Sequence, residues 1–267
     1  MNLKNAIVLI TVISMITGCK KDAGEITTPT IPTPVVKVKD TIYLLNKMVT
    51  NYLLTPSPVT QTETFTYNPA RQLIKHVYDY KSYTSNFTTT FTIAYNDGKV
   101  SEISSSATKP YPWNKIRYSY FGRDIHVVYN YPAASKDSIV ITLNNKDLAE
   151  KVQGNGQYYI LKYDADGNIE NRSQYENKNP AKPTFNNDYT YDKKPSPFWA
   201  LRNNIYITYQ AFNDINTFVN NRTSNNKLEL YNYTYNESGY PKQMVTVHSS
   251  VAVKKVDYTY TRIIVDK

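Results

Sequence analysis

The stretch Leu161-Lys162-Tyr163-Asp164-Ala165-Asp166-Gly167-Asn168-Ile169-Glu170-Asn171 constrains this chain more than any other. Side chains alternate up to Tyr163, an acidic tetrapeptide closed by glycine reverses the chain, and a second strand follows from Ile169, the pattern of a β-hairpin. Looser copies run from Phe65 to His76, Phe91 to Ile103 and Tyr231 to Met244. The chain therefore reads as a string of β-hairpins in a mostly β fold.

Turn chemistry supports each copy. Asp164 and Asp166 hold a type I turn that ends in a left-handed Gly167, and Asn236-Glu237-Ser238-Gly239 fits the same scheme, with Asn236 opening it and Gly239 closing it. Asp97 and Gly98, in Asn96-Asp97-Gly98, form a strong short hairpin signal. Asn68-Pro69-Ala70-Arg71 offers asparagine to receive a turn and proline to preset the next φ, and Asn144-Asn145-Lys146-Asp147 is a degenerate copy. The incoming strands end at Tyr67, Tyr95, Leu143, Tyr163, Tyr191 and Tyr235. That spacing is irregular, which describes hairpins with insertions and not a strict solenoid. The chain has 26 tyrosines against 8 glycines, and tyrosine suits a pleated, half-buried surface.

Residues 1 to 18 have the form of an export signal, with Lys4 followed by the apolar run Ala6 to Ile16. That run is shorter than the roughly 20 apolar residues a spanning helix needs. Ile16-Thr17-Gly18-Cys19 resembles the lipobox of bacterial lipoproteins, in which the cysteine is acylated and becomes the first residue of the mature chain. Cys19 is the only cysteine in the sequence, so no disulfide partner exists within the chain. The alternative is a cleavable secretory peptide beside an incidental cysteine. Residues 19 to 40 read as a lipid-anchored linker, with Pro29, Pro32 and Pro34 among threonines. Residues 41 to 267 read as a single antiparallel β domain. The formal charge of +9 is carried by scattered lysines and arginines, without the clustered stripe of a nucleic-acid binder. It serves solubility or attraction to acidic glycans or lipid headgroups.

One segment departs from the hairpin pattern. In the 195–226 insertion, Phe212, Ile215 and Phe218 or Val219 fall at helical spacing, which predicts one short helix over Gln210 to Val219, ended by Asn220-Asn221.

At these residues the chain resembles known types. Tyr163-Asp164-Ala165-Asp166-Gly167-Asn168-Ile169 is similar to the YD repeat of Rhs-like proteins. Tyr189-Thr190-Tyr191-Asp192-Lys193-Lys194-Pro195-Ser196-Pro197-Phe198 and Tyr233 to Pro241 resemble segments of uncharacterised Bacteroidota lipoproteins, with Ser196 where asparagine is usual. The resemblance implies a large, curled antiparallel β-sheet built from successive hairpins, with no established activity to carry over.

Catalytic chemistry has little to attach to. His76, His126 and His248 have no second histidine or cysteine at ligand spacing. The folded part has no thiol, and no Gly-x-Ser-x-Gly elbow occurs. Counted from Asp164 as an EF-hand loop, glycine falls fourth instead of sixth and position twelve is Tyr175 instead of glutamate, so turn chemistry is favoured over calcium. Paired carboxylates of a glycan-acting hydrolase are set by distance in space and stay open. Trp113, with Tyr111 close by, is the candidate aromatic pair for stacking on a sugar; the competing reading is cross-strand packing within the sheet. Asp40-Thr41-Ile42 and Asp137-Ser138-Ile139 resemble Bacteroidota O-glycosylation acceptors.

The expectation is a lipid-anchored envelope protein of the outer membrane, on its periplasmic face or the cell surface, with a non-enzymatic binding or structural role. A glycan-binding module and a glycan-acting hydrolase are the alternatives. Its expected partners are the membrane through Cys19 and a glycan or envelope protein, with no nucleic acid, metal or cofactor.

Overall fold

A computed structural model describes residues 39–108, 113–131, 136–204 and 219–266. Its first eight strands are β1 (Lys39–Tyr52), β2 (Val59–Tyr67), β3 (Leu73–Lys81), β4 (Asn86–Asn96), β5 (Lys99–Ala107), β6 (Lys115–Phe121), β7 (Asp124–Asn130) and β8 (Lys136–Leu143). The second eight are β9 (Ala149–Gly154), β10 (Gln157–Tyr163), β11 (Ile169–Glu176), β12 (Phe185–Pro195), β13 (Asn220–Asn225), β14 (Glu229–Tyr235), β15 (Pro241–His248) and β16 (Val251–Asp266). Each strand pairs antiparallel with its neighbour in sequence, and β1 pairs with β16 from Lys39↔Asp266 to Tyr52↔Lys254. The curled sheet that the resemblance implies is thus closed into a barrel. Among the described residues closure leaves no strand as a free edge of the sheet.

Alternation decides which face is buried. Along β4, Thr89, Phe91 and Ile93 are buried while Thr92 and Ala94 are exposed. Ile103, Ile116, Val127 and Ile141 are wholly buried and pack in one core with Leu45, Phe65 and Leu73. The interior is therefore filled by side chains. After β12 the chain enters this core: Phe198 and Leu201 are buried within it, and a short 3₁₀ turn spans Trp199–Asn204. The helix expected over Gln210 to Val219 lies, as far as Phe218, outside the described residues. Asn220, expected to end it, instead opens β13.

The expected turns form recognisable units. Asp97 and Gly98 both have positive φ, 50° and 75°, as a two-residue hairpin turn requires. In the turns opened by Asn68, Asn144, Asp164 and Asn236, the fourth residue donates its N–H to the carbonyl of the first at 2.8, 3.1, 3.2 and 3.0 Å. That fourth residue is left-handed in all of them: Arg71, Asp147, Gly167 and Gly239. Asp164 and Asn236 also accept, through Oδ1, the N–H groups two and four residues on. This local bonding explains the recurrent Tyr-Asp and Tyr-Asn pairs, since the Asx side chain shapes the turn.

The tyrosines near the strand ends have their own role. Tyr67, Tyr95, Tyr120, Tyr163, Tyr191, Tyr233 and Tyr260 donate their hydroxyls to the carbonyls of Leu45, Leu73, Val100, Ala149, Ile169, Arg222 and Pro241. Every acceptor sits at a register shift in the strand preceding the donor's. A bulge disrupts the backbone ladder locally, and a buried carbonyl needs a partner; the tyrosine of the next strand supplies it. β6 and β7 pair without a register shift, and the strand that follows them, β8, ends in Leu143 instead of tyrosine. Burial pushes Tyr67, Tyr191, Tyr233 and Tyr260 well above the ordinary tyrosine range, so they remain donors. Tyr95→Phe is expected to cost about 1–2 kcal/mol, the loss of a hydrogen bond plus a stranded carbonyl. Tyr95→Phe and Tyr191→Phe should add nearly independently in urea melts, because the two rungs share no partner; a Tyr95→Phe protein as stable as the parent would contradict this role.

Candidate functional site

All the Asx turns lie at one end of the barrel, called here the turn end, because each links an even-numbered strand to the odd-numbered one after it. The opposite, loop end carries the remaining connections. At the turn end, the turns joining β8 to β9 and β10 to β11 flank a cleft of about 690 Å³. Its charged lining comprises Arg123, Lys146, Lys162, Glu150, Asp164 and Asp166.

Two of the three acids in this cleft, Asp164 and Asp166, are already engaged. Asp164 Oδ1 accepts the Asp166 and Asn168 N–H groups at 2.9 Å each, and its Oδ2 accepts Asn168 Nδ2 at 3.0 Å. Asn168, fully buried, in turn accepts the Asn220 N–H at 2.8 Å and so ties this turn to the start of β13. Asp166 Oδ2 receives Lys193 Nζ at 2.6 Å, an interaction that raises the lysine above its ordinary range. Among the described residues no three His, Cys, Asp or Glu side chains converge as a metal site would need. Cationic and anionic groups balance within the cleft, so its electrostatics favour neither an anionic nor a cationic ligand.

Inside the barrel lie two polar clusters that the sequence did not reveal. Glu63 and His76 sit on paired strands β2 and β3, with Oε2 and Nε2 2.7 Å apart and both side chains buried. Gln61 Nε2 donates to the other oxygen of Glu63 at 2.6 Å. The His76 ring lies flat between Phe65 and Phe91, with centroids 4.7 and 5.4 Å away. This aromatic wall leaves the imidazole no open approach for a substrate on those faces. In the second cluster, Arg222 lies over the rings of Tyr189 and Tyr231 at 5.3 and 4.6 Å. Arg222 Nη2 donates to the Tyr231 hydroxyl at 3.1 Å, which donates to Glu229 Oε2 at 2.6 Å. The Tyr231 bond holds the Glu229 carboxyl below the usual carboxylate range, while burial pushes Tyr231 up. These groups satisfy one another across β13 and β14.

Trp113 requires a correction. Read as a loop aromatic for stacking on a sugar, it is instead a core residue, 7% exposed, with its ring 5.6 Å from Phe91. Its carbonyl accepts the Ser105 hydroxyl at 2.5 Å, anchoring the chain as it enters β6. Burying the large indole outweighs leaving it in water. Tyr111 and Cys19 lie outside the described residues. On the outer wall, Tyr158 and Tyr175 are paired across β10 and β11 and stack at 5.1 Å, with Lys151 over the Tyr158 ring at 4.7 Å. Counting outward from the Asp164 turn would have found this pair, but the two rings already engage each other's faces.

No family model matches this chain, and no curated protein matches it. Solved structures similar to it include a porin-like protein from Bacteroides uniformis, at 15% identity over 81% of this chain and 96% of that one, with a TM-score of 0.40. A porin-like protein from Bacteroides vulgatus is similar at 12% identity over 82% of this chain and 99% of that one, with a TM-score of 0.36.

Proposed function

We propose that this protein is a lipid-anchored barrel of the cell envelope that stays in water and has a binding or structural role, without forming a pore. The observation that carries this reading is the direction of the alternation. A membrane-spanning barrel turns an apolar band outward and keeps a polar lumen. Here the order is reversed: Phe65, Phe91, Ile93, Ile116 and Ile141 point into the core, and the outer wall carries Thr62, Thr64, Thr66, Thr88, Thr90, Thr92, Lys115 and Arg117. A lysine or arginine on a lipid-facing wall costs about 2–4 kcal/mol at mid-bilayer, and the packed interior leaves no aqueous path through the core.

With the wall unsuited to lipid, membrane attachment falls to the lipobox-like Ile16-Thr17-Gly18-Cys19. Two acyl signals suffice for stable anchoring, and the proline-containing linker would space the barrel from the bilayer. The turn chemistry at Asp164 to Gly167 and Asn236 to Gly239 supports kinship with YD-like hairpins. Cys19→Ser is expected to abolish incorporation of a fatty-acid probe; persistent labelling would refute the anchor. In the same preparation, purified protein added to planar bilayers should give no conductance steps, and reproducible steps would overturn the non-pore reading.

A further inference from the structure

The exposed apolar side chains are unevenly placed. Leu53, Leu54, Tyr83, Leu228, Leu230 and Val251 are 47–88% exposed and lie at the loop end, on or beside the connections β1–β2, β3–β4, β13–β14 and β15–β16, while at the turn end Phe121 and Ile264 are 61% and 56% exposed. Most of the loop-end set are neighbours along one arc of the rim. Leu230 pairs with Val247, Val247 pairs with Ala252, and the Leu53 N–H donates to the Val253 carbonyl at 3.0 Å.

The same end carries more exposed lysines than acids. Lys81, Lys136, Lys178, Lys182 and Lys227 stand exposed at the loop end, and none is in an ion pair among the described residues. Acids at that end include exposed Glu176 at the close of β11, Asp137, bonded to Asn155 Nδ2 at 2.5 Å, and Glu229, bonded to the Tyr231 hydroxyl at 2.6 Å. At the other end Asp97, Asp147, Asp164, Asp166 and Glu237 sit in turns beside exposed Arg71, Lys99, Arg123 and Lys146, so acids and cations are mixed there.

We propose that the loop end docks on an anionic lipid surface. Its leucine and valine tips enter the interfacial layer while the lysines meet the headgroups. Apolar tips on separate loops, interleaved with lysines that outnumber the acids beside them, match a flat, negatively charged and apolar-cored surface. They also disfavour a second copy of this chain, because the same lysines would face one another. The anchor does not oppose this contact: 20 residues from Cys19 to Val38 reach roughly 70 Å when extended, well beyond the length of an eleven-residue strand such as β4.

The test uses the full chain carrying Cys19→Ser, so that no acyl chain contributes, with vesicles of phosphatidylglycerol and phosphatidylcholine or of phosphatidylcholine alone. Failure of the docking proposal is thereby separate from failure of the anchor. Cosedimentation should be about tenfold stronger with the anionic vesicles and should weaken as salt rises. Adding Leu53→Asp, Leu54→Asp, Leu228→Asp and Val251→Asp should lower it at least about tenfold. Lys178→Gln, Lys182→Gln and Lys227→Gln together should lower it several-fold; these exposed changes also guard against misfolding in the aspartate set, and an unchanged thermal transition checks both. The leader is the same in parent and variants, so the difference reads the loop end alone. Unchanged cosedimentation of both variant sets overturns the proposal. So does a vesicle-independent dimer that the aspartate set dissociates, which would assign the face to a second copy.

Discussion

Glu63→Ala is expected to destabilise the barrel by about 3–5 kcal/mol, the usual cost of removing one partner from a buried acid–base pair. Glu63 and His76 are 4% and 1% exposed, and the Glu63 carboxylate bonds both the imidazole and the Gln61 amide. Without it, the His76 Nε2 loses its partner inside a stack of phenylalanines from which the ring cannot turn to water. Gln61 can compensate, because it is only half-buried and already meets the Tyr52 hydroxyl at 3.2 Å. Replacing both partners, Glu63→Leu with His76→Phe, should therefore recover most of the loss, since apolar groups of similar volume carry no unmet hydrogen bonds. Urea denaturation of the two single variants and the double variant measures the coupling. A Glu63→Ala protein within about 1 kcal/mol of the parent would show that the pair contributes little beyond ordinary packing.

Phe198→Ala should be comparably damaging, at about 3–5 kcal/mol for a buried aromatic that leaves a cavity. Phe198 is 4% exposed and meets Phe65 edge to face at 6.1 Å. Its backbone is fixed as well, with its N–H accepted by Ser196 Oγ at 3.1 Å and its carbonyl bonded by the Leu201 N–H at 2.8 Å. The alanine variant cannot easily collapse the gap, because the surrounding side chains, among them Phe65, Tyr233 and Tyr258, are held by separate strands, β2, β14 and β16. Loss of that size is a large part of an ordinary domain's total stability of about 5–15 kcal/mol. Thermal melts with a dye that binds exposed apolar surface give the readout, and an unchanged melting temperature would mean that the segment after β12 is not part of the core.

The local features were legible in the residues. Asp164, Gly167, Asn236 and Gly239 identify their turns because Asx side chains bond the next few backbone amides and glycine takes the left-handed position, interactions completed within a few residues of the turn. The alternation in Phe91 to Tyr95 likewise shows which side chains share a face. The sequence leaves Trp113 open between stacking on a sugar and packing within the sheet, because a tryptophan beside prolines is compatible with an exposed loop or an inward ring, and only burial against Phe91 decides for packing. Glu63 and His76 are 13 residues apart and become a pair only through the register of β2 on β3.

The sequence by itself determined a chain of antiparallel hairpins with tyrosines at the strand ends, since those signals arise from neighbours along the backbone. Closure was decided by the tertiary structure. Tyr43 pairs with Arg262 across nearly the whole chain, and identical hairpins could equally have formed an open sheet. The tyrosine rungs follow the same division: each phenol is visible in the sequence, but its acceptor exists only where the neighbouring strand bulges and leaves a carbonyl that the sheet itself cannot pair.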